Sequence, residues 1–428
     1  MTPLRRVAGQ TFSSLNSRNL RLYFTGLTIS QVGSWVQLVS LPWLVLHLTH
    51  NGAMLGLTYA LQFLPILLLG AWAGVVADRH DKRRILLLTT TLLGLIALVL
   101  GVVTLLDAIA MWNILLLALL LGTVAAFDNP TRRSFVPELV EPHEVANAVS
   151  LNNAVFTLSR IIGPSIAGIL IATVGIGWCF VVNAASFAAV IVALQMMSTA
   201  AIHASPPLPR AKGQLRAGIR YAWDAPLVRL AIVMTFVIGV LTFNYQVVLP
   251  LLAKRTFHAG PAAYALMFAA TGIGSLAGAL MSAHRAQASG PLMARAAIAF
   301  GATMGLAALA PSLAVEYVVL VPMGMAGMVF FSMANAAVQD GTDPAVRGRV
   351  TALFSVAFLG STPIGSPIVG AISQQFGPRV GLAIGAIAAA ATGIAGLLAV
   401  RRWPRGTGIR TRAAKNLPIG EPLRGVTG

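Results

Sequence analysis

Twelve apolar runs, each long enough to cross a hydrocarbon layer about 30 Å thick, follow one another along this chain with little sequence between them. They lie near Leu20 to Leu46, Gly52 to Ala77, Ile85 to Leu106, Trp112 to Phe127, His143 to Thr173 and Gly177 to Met197. After a hydrophilic break come Leu227 to Ala253, Gly260 to Ala283, Leu292 to Ala310, Val315 to Gln339, Arg347 to Gln374 and Arg379 to Val400. In lipid a backbone must satisfy its own hydrogen bonds, and runs this long can do so only as helices. With 57% hydrophobic and 10% charged residues, where soluble chains carry about a quarter charged, an ordinary water-soluble enzyme is excluded. Cys179 stands alone, which excludes an intrachain disulfide and a Cys-based zinc site.

The net charge of +18 would in a soluble chain point to nucleic acid. Here the basic residues sit in loops between apolar runs and form no aromatic-interleaved basic domain, so they read as membrane orientation and no nucleic-acid partner is expected. Placing the N-terminus in the cytoplasm puts every Lys and Arg but four on the cytoplasmic side, as the positive-inside rule requires. The exceptions are Lys254, Arg255, Arg379 and the embedded Arg160. The expectation is an all-α membrane protein with twelve transmembrane helices, both termini in the cytoplasm, and the first helix as its own targeting signal. The parts are a cytoplasmic N-terminus over 1–19, a six-helix bundle over 20–198, a linker over 199–226, a second bundle over 227–400 and a basic tail over 401–428. The linker carries Ser205-Pro206-Pro207-Leu208-Pro209, a stiff spacer, then Gln214 to Trp223, whose apolar and Arg residues mix at helical spacing as in a helix lying on the membrane surface.

The halves repeat. With an offset of 208, Trp35 falls on Phe243, Pro42 on Pro250, Gly52 on Gly260 and Gly70 on Gly278. With an offset of 202, Glu138 falls on Asp340, Gly163 on Gly365 and Gly168 on Gly370. Two parallel six-helix halves, related by an axis along the membrane normal, are expected to hold a binding site between them.

The loop after the second span reads Gly74-Val75-Val76-Ala77-Asp78-Arg79-His80-Asp81-Lys82-Arg83-Arg84. A Gly permits close helix approach, an Asp can face the positive end of another helix, and the basic cluster can hold carboxylates or phosphate headgroups. This segment resembles the signature loop of the major facilitator superfamily, with Asp81 where the commoner pattern has Gly. That departure is similar to the subgroup of siderophore exporters and macrolide-efflux proteins. The resemblance extends through Phe127-Asp128-Asn129-Pro130-Thr131-Arg132-Arg133, Asn147-Ala148-Val149-Ser150-Leu151-Asn152, Arg160-Ile161-Ile162-Gly163-Pro164 and Gly177-Trp178-Cys179-Phe180. It implies the major facilitator fold, alternating access, a monomer and proton exchange as the driving force. It also implies a cytoplasmic gate, for which Gly74, Asp78, Arg79, Arg83, Asp128 and Arg132 are the candidates by position. Asp78 falls on Ala286 in the second half, so the gate is one-sided. The helix-4 Arg motif of drug/proton antiporters would stand near Ala118, which cannot serve.

Asp128 lies about 24 Å along the fourth span at 1.5 Å per residue, near its cytoplasmic end. It suits a gate partner of Arg83 or Arg132, a proton carrier, or a cap for a chain break at Pro130. Arg160 sits near the middle of the fifth span, on one face with Asn153 and Thr157, and an intramembrane ionisable residue is a functional-site hypothesis by default. Pairing within its own half is the alternative. Gly163, Pro164 and Gly168 resemble the helix-5 motif of antiporters, with Ala167 where Gly is usual; small residues and Pro suit a hinge. Gln31, Trp35, Gln62, Phe243, Asn244 and Asn335 are further candidates to line a central cavity.

None of the four lysines (Lys82, Lys212, Lys254, Lys415) follows a Gly, which removes a phosphate-binding loop and ATP hydrolysis. His47 and His50 read as interfacial, and no cofactor or metal is expected. The reading is a multi-pass transporter of the inner cell membrane that exports small amphipathic molecules, drugs or siderophore-like compounds. A lipid or lysolipid flippase of the same architecture is the alternative within transport. A polytopic membrane enzyme is the remote one, because no convergent acids, histidines or nucleophiles share one depth.

Overall fold

The computed structural model describes residues 13–203, 214–283, 289–343 and 346–402. Arg5, Arg6, the Ser205 to Pro209 stretch, Arg210, Lys212, Arg285, Ala286 and the tail beyond Arg402 lie outside the described residues. The helices are α1 (Arg18–Thr49), α2 (Gly52–Arg79), α3 (Lys82–Leu105), α4 (Met111–Phe135), α5 (Val145–Thr173) and α6 (Ile176–Met196). They continue as α7 (Gln214–Asp224), α8 (Pro226–Leu241), α9 (Tyr245–Leu251), α10 (Pro261–Ala283), α11 (Gly290–Leu309), α12 (Leu313–Asp340), α13 (Arg347–Leu359), α14 (Thr362–Phe376) and α15 (Pro378–Arg401). Among the described residues, twelve helical segments are long and apolar enough to cross a membrane, with α8 and α9 sharing the seventh and α13 and α14 the eleventh.

Local chemistry sets several boundaries. Ser17, Asn51, Asp81, Ser289 and Ser312 each cap a helix start with a side-chain oxygen, satisfying amide groups that the first turn leaves open. The Asp81 departure is thereby explained: its carboxylate accepts from the backbone N–H groups of Arg83 and Arg84. The short α7 is anchored by Tyr221, whose hydroxyl donates to Gly341 O (3.2 Å) and accepts from Asp343 N (3.1 Å).

In the first bundle α1 packs on α5 and α6, α2 on α4, and α3 on α4 and α6; in the second α10 packs on α12, and α11 on α12 and α15. The repeat recurs in the geometry at both offsets. His50 and His258, 208 apart, both adopt left-handed φ near 50°, and Gly175 and Gly377, 202 apart, both have φ near 95°, a region suited to glycine alone. A Cβ on Gly122 would strike the Gln62 carbonyl, and one on Gly324 the Thr271 carbonyl. Gly163 and Gly365 meet Val32 and Val240 in the same way. Small residues let these backbones touch.

Between bundles, α2 packs on α14 and α5 on α10. These seams tighten toward the face opposite the basic Arg79 to Arg84 loop. Gly52 and Gly56 meet Gly370 and Ser366 there, and Gly168 meets Ala262 and Ala265. Lys254 Nζ donates to Leu46 O at 2.8 Å, and the two residues are 208 apart. A residue touching its own repeat counterpart lies beside the pseudo-symmetry axis. Arg255 donates to His50 O (2.7 Å) and Gln374 O (3.2 Å), and Gly52 N donates to the Gln374 side chain (2.7 Å).

The chain break weighed as one option at Pro130 does not occur: α4 runs unbroken past it, and α5 runs as one helix through Gly163-Pro164. The interruptions fall in the second bundle, at Thr242–Asn244 and Gly360–Ser361. The Asn244 amide donates to Val240 O (2.8 Å) and accepts from Ser366 Oγ (3.0 Å), and Thr242 Oγ1 donates to Gly385 O (3.0 Å). Side chains thus satisfy the polar groups that each interruption releases.

Candidate functional site

Where the bundles part toward the basic face they enclose a cavity of about 770 Å³. It reaches from Leu41 and Tyr59 near the closed side to Arg132, Arg133 and Val136, and the exposure of Asn129, Arg133 and Asn153 on its wall marks it as open to solvent. The first bundle supplies a wall rich in amides and hydroxyls: Gln31, Gln37, Gln62, Asn152, Asn153 and Asn183 are examples. The second contributes Phe331, which packs on Phe358 (ring centroids 4.6 Å apart) and Phe354 (5.8 Å). The lining mixes these polar groups with aromatic and aliphatic side chains, Tyr59, Phe156 and Phe187 on the first bundle and Phe331 on the second, a surface complementary to an amphipathic molecule of drug size.

Asp128 is buried in α4 and accepts from Thr89 Oγ1 at 2.7 Å and from Arg132 Nε, one turn along the same helix. Arg132 also donates to Thr90 Oγ1 at 3.1 Å, while its Nη1 and the Tyr23 hydroxyl are buried without a hydrogen-bond partner. The ion pair is tolerable at low dielectric because both ends gain further hydrogen bonds.

Of the expected gate residues, Asp128 and Arg132 pair with each other, and Asp78, Arg79 and Arg83 do not join them. Arg83 faces α6, donating to Leu194 O (2.7 Å) and Gln195 O (3.3 Å). Thr89, which meets Asp128, lies six residues further on, about 9 Å along the helix. Asp78 and Arg79 are exposed at the end of α2, and nothing lies within 4 Å of a Cβ built on Gly74, so the close approach expected there is absent. The ion pair that does form beside the loop joins Lys82 to Glu138 at 2.6 Å, with both side chains at least nine-tenths buried.

Of the expected cavity residues, Gln31, Gln62 and Asn153 line this space together with Asp128 and Arg132. Thr157, Asn335, Asn244 and Phe243 lie outside that lining. Thr157 donates back to Asn153 O (2.8 Å). Asn244 shapes the helix interruption, and Phe243 packs among Phe300, Tyr245 and Phe358. Trp35 and Arg160 lie behind the lining residue Phe156: the Trp35 ring is 5.7 Å from Phe156 and 6.0 Å from Phe268, and the Arg160 guanidinium carbon is 5.8 Å from the Trp35 ring centroid. Gly163 packs on Trp35 and Gly168 on α10, so both act as close-packing positions, with Pro164 between them in a continuous helix.

Glu316, in the first turn of α12, was missed as a buried ionisable group. It is fully buried in α12, and neither carboxylate oxygen has a hydrogen-bond partner. The signal was available, since it is the acid inside the tenth apolar run. Ser34, Gln37, Tyr59 and Asn183 were also missed, although a polar residue inside an apolar run marks each. Asn183 Nδ2 donates to Gln37 Oε1 at 2.7 Å.

The similarities to known proteins agree with this architecture. The chain is 28% identical over 374 residues to the multidrug efflux pump Tap of Mycolicibacterium fortuitum, covering 84% of this chain and 90% of that protein. It is 28% identical over 370 residues to the enterobactin exporter EntS of Shigella boydii, covering 84% and 86%. A 153-residue segment is 34% identical to the staphyloferrin A transporter of Staphylococcus aureus, spanning 36% of this chain and 38% of that protein. Among solved structures, a bacterial homolog of the human lysosomal transporter Spinster in an inward-facing, occupied conformation matches with a TM-score of 0.70 at 15% identity, covering 90% of this chain and 96% of that one. The nucleoside transporter NupG matches with a TM-score of 0.68 at 14% identity, covering 90% and 99%. These two share the fold. The family model for transmembrane secretion effectors matches residues 9–415, and with twelve apolar helices in two bundles around a polar and aromatic cavity, the chain belongs to that family of major facilitator transporters and is not an enzyme.

Proposed function

We propose that this chain is a secondary exporter of small amphipathic molecules, drugs or siderophore-like compounds, working by alternating access with protons as the counter-ion. The observation that carries the reading is the one-sided cavity: drug-sized, lined by amides and aromatic side chains together, open toward the basic face and closed by inter-bundle contacts at the opposite face. By the positive-inside rule the basic face is cytoplasmic, so both termini lie in the cytoplasm and this conformation receives molecules from the cell. Tap, a multidrug efflux pump, and EntS, an enterobactin exporter, favour the same direction.

In this reading Asp128 and Arg132 form the floor of the pathway, and Asp78, Arg79 and Arg83 are brought to α13 and α14 when the basic face closes. Asp128 is the candidate proton carrier, since protonation would release Arg132 and Thr89 together. The test is accumulation of a dye and a catecholate siderophore in a host lacking its own efflux pumps, with the pH gradient collapsed in half the samples. Lower accumulation that depends on the gradient is expected. Unchanged accumulation of both compounds would overturn the reading. Movement of headgroup-labelled lysolipid in proteoliposomes without efflux would replace it with a flippase.

A further inference from the structure

At the closed end of the cavity Arg160 projects from α5 toward the seam between bundles. Its guanidinium lies over the Trp35 ring, no hydrogen bond or ion pair involves it among the described residues, and its Nε is buried without a partner. Across the seam, at the interruption after Thr242, stands Tyr245. It is 6% exposed, belongs to the buried cluster against which Trp35 packs, and its hydroxyl also lacks a partner. A ring face attracts a cation but cannot accept the in-plane Nε–H. Two buried donors from opposite bundles are thus left facing one seam, and a buried donor without an acceptor is costly enough to call for an explanation.

The charge of the pathway selects the missing partner. The cavity lining carries Asp128, already matched by Arg132, and Arg133, and Arg160 behind it adds a further positive charge. An exporter of lipophilic cations would need an unmatched acid at this depth; Glu316, the fully buried acid, does not line the cavity. We propose that Arg160 and Tyr245 form an anion-binding subsite across the seam, taking a carboxylate or comparable oxyanion while the aromatic part of the molecule rests on Trp35, Phe156 and Phe331. This inference rests on the export reading above and narrows it to anionic amphipathic compounds. A ligand bridging α5 and α9 would also tie its occupancy to the seam that alternating access must open.

The test uses the full chain in proteoliposomes and two aromatic probes of opposite charge, carboxyfluorescein and ethidium. Binding is read by fluorescence anisotropy and transport by dye movement. Wild type is expected to bind carboxyfluorescein at least tenfold more tightly than ethidium. Arg160→Gln should weaken carboxyfluorescein at least tenfold without weakening ethidium, Tyr245→Phe should weaken it three- to fivefold, and Arg160→Lys should retain most of it. Because Arg160→Gln could disturb folding, monodispersity and thermal unfolding are measured beside it, and the milder Tyr245→Phe must show the same charge selectivity. Preference for ethidium, no binding of carboxyfluorescein, or equal losses for both probes would overturn the subsite. Selective binding without transport would leave the subsite standing and overturn the export reading. Charge-blind transport unaffected by Arg160→Gln would do the reverse.

Discussion

Lys254 and Arg255 are basic residues on the face where few are expected, and the structure uses both to clasp carbonyls at helix ends. Lys254 Nζ reaches Leu46 O at 2.8 Å, and Arg255 reaches His50 O at 2.7 Å and Gln374 O at 3.2 Å. Each joins the second bundle to the C-terminal end of α1, where the helix dipole favours a cation. Charge-assisted hydrogen bonds contribute about 1.5–3 kcal/mol when buried; exposed ones are screened toward about 1 kcal/mol or less. With Lys254 half-buried and the Arg255–His50 contact exposed, Lys254→Ala with Arg255→Ala should remove about 2 kcal/mol from the closed seam. That shifts the equilibrium toward opening at this face by a factor of about 30. The shift is read in a Cys179→Ala background by spin labels at Leu48 and Phe376, exposed positions beside the two sides of the seam. The double variant should gain a long-distance population that the parent lacks. An unchanged distance distribution would refute the assignment of these residues as the clasp.

Asp128→Asn should reduce export at least a hundredfold and, because it leaves the Arg132 charge without its counter-ion where only 15% of that side chain is exposed, should also cost about 3 kcal/mol of stability; dye efflux from cells and thermal unfolding in detergent check the two effects. Lys82→Met removes the ammonium that sits 2.6 Å from Glu138 Oε1 in an ion pair whose side chains are 9% and 4% exposed. It should cost about 3 kcal/mol, read by thermal unfolding in detergent, and the Lys82→Met, Glu138→Leu double variant should recover most of it. Gly377→Ala meets no atom within 4 Å but keeps a φ of +93°, so it should destabilise by about 1–3 kcal/mol through backbone strain alone, on the same assay.

The twelve spans were legible because hydrocarbon imposes a length and a composition that no short loop can imitate. The repeat was legible because the pairs that recur, such as Gly163 and Gly365, do the same packing job in both halves. What stayed hidden depends on backbone partners. Arg83 looked like a partner for Asp128 because both are charged, yet it bonds the carbonyls of Leu194 and Gln195, and carbonyl acceptors leave no mark in a sequence. Pro130 drew attention to a chain break and Pro164 to a hinge, because the residue type advertises them, yet both helices are continuous there; the helix interruptions lie elsewhere. They occur at Thr242–Asn244 and Gly360–Ser361, where Asn244 and Ser366 join two segments more than a hundred residues apart. Gly74 shows the motif without its contact, since nothing lies within 4 Å of a Cβ built there.

The most direct measurement is the sidedness of the cavity. A single cysteine at Asn153, on the cavity wall, in the Cys179→Ala background is treated with a membrane-impermeant maleimide in intact cells and in inverted membrane vesicles. The account predicts rapid labelling in inverted vesicles, slow labelling in cells, and faster labelling in cells once Lys254 and Arg255 are replaced. Equal labelling from both sides of the unmodified protein, or labelling only from outside, would contradict it.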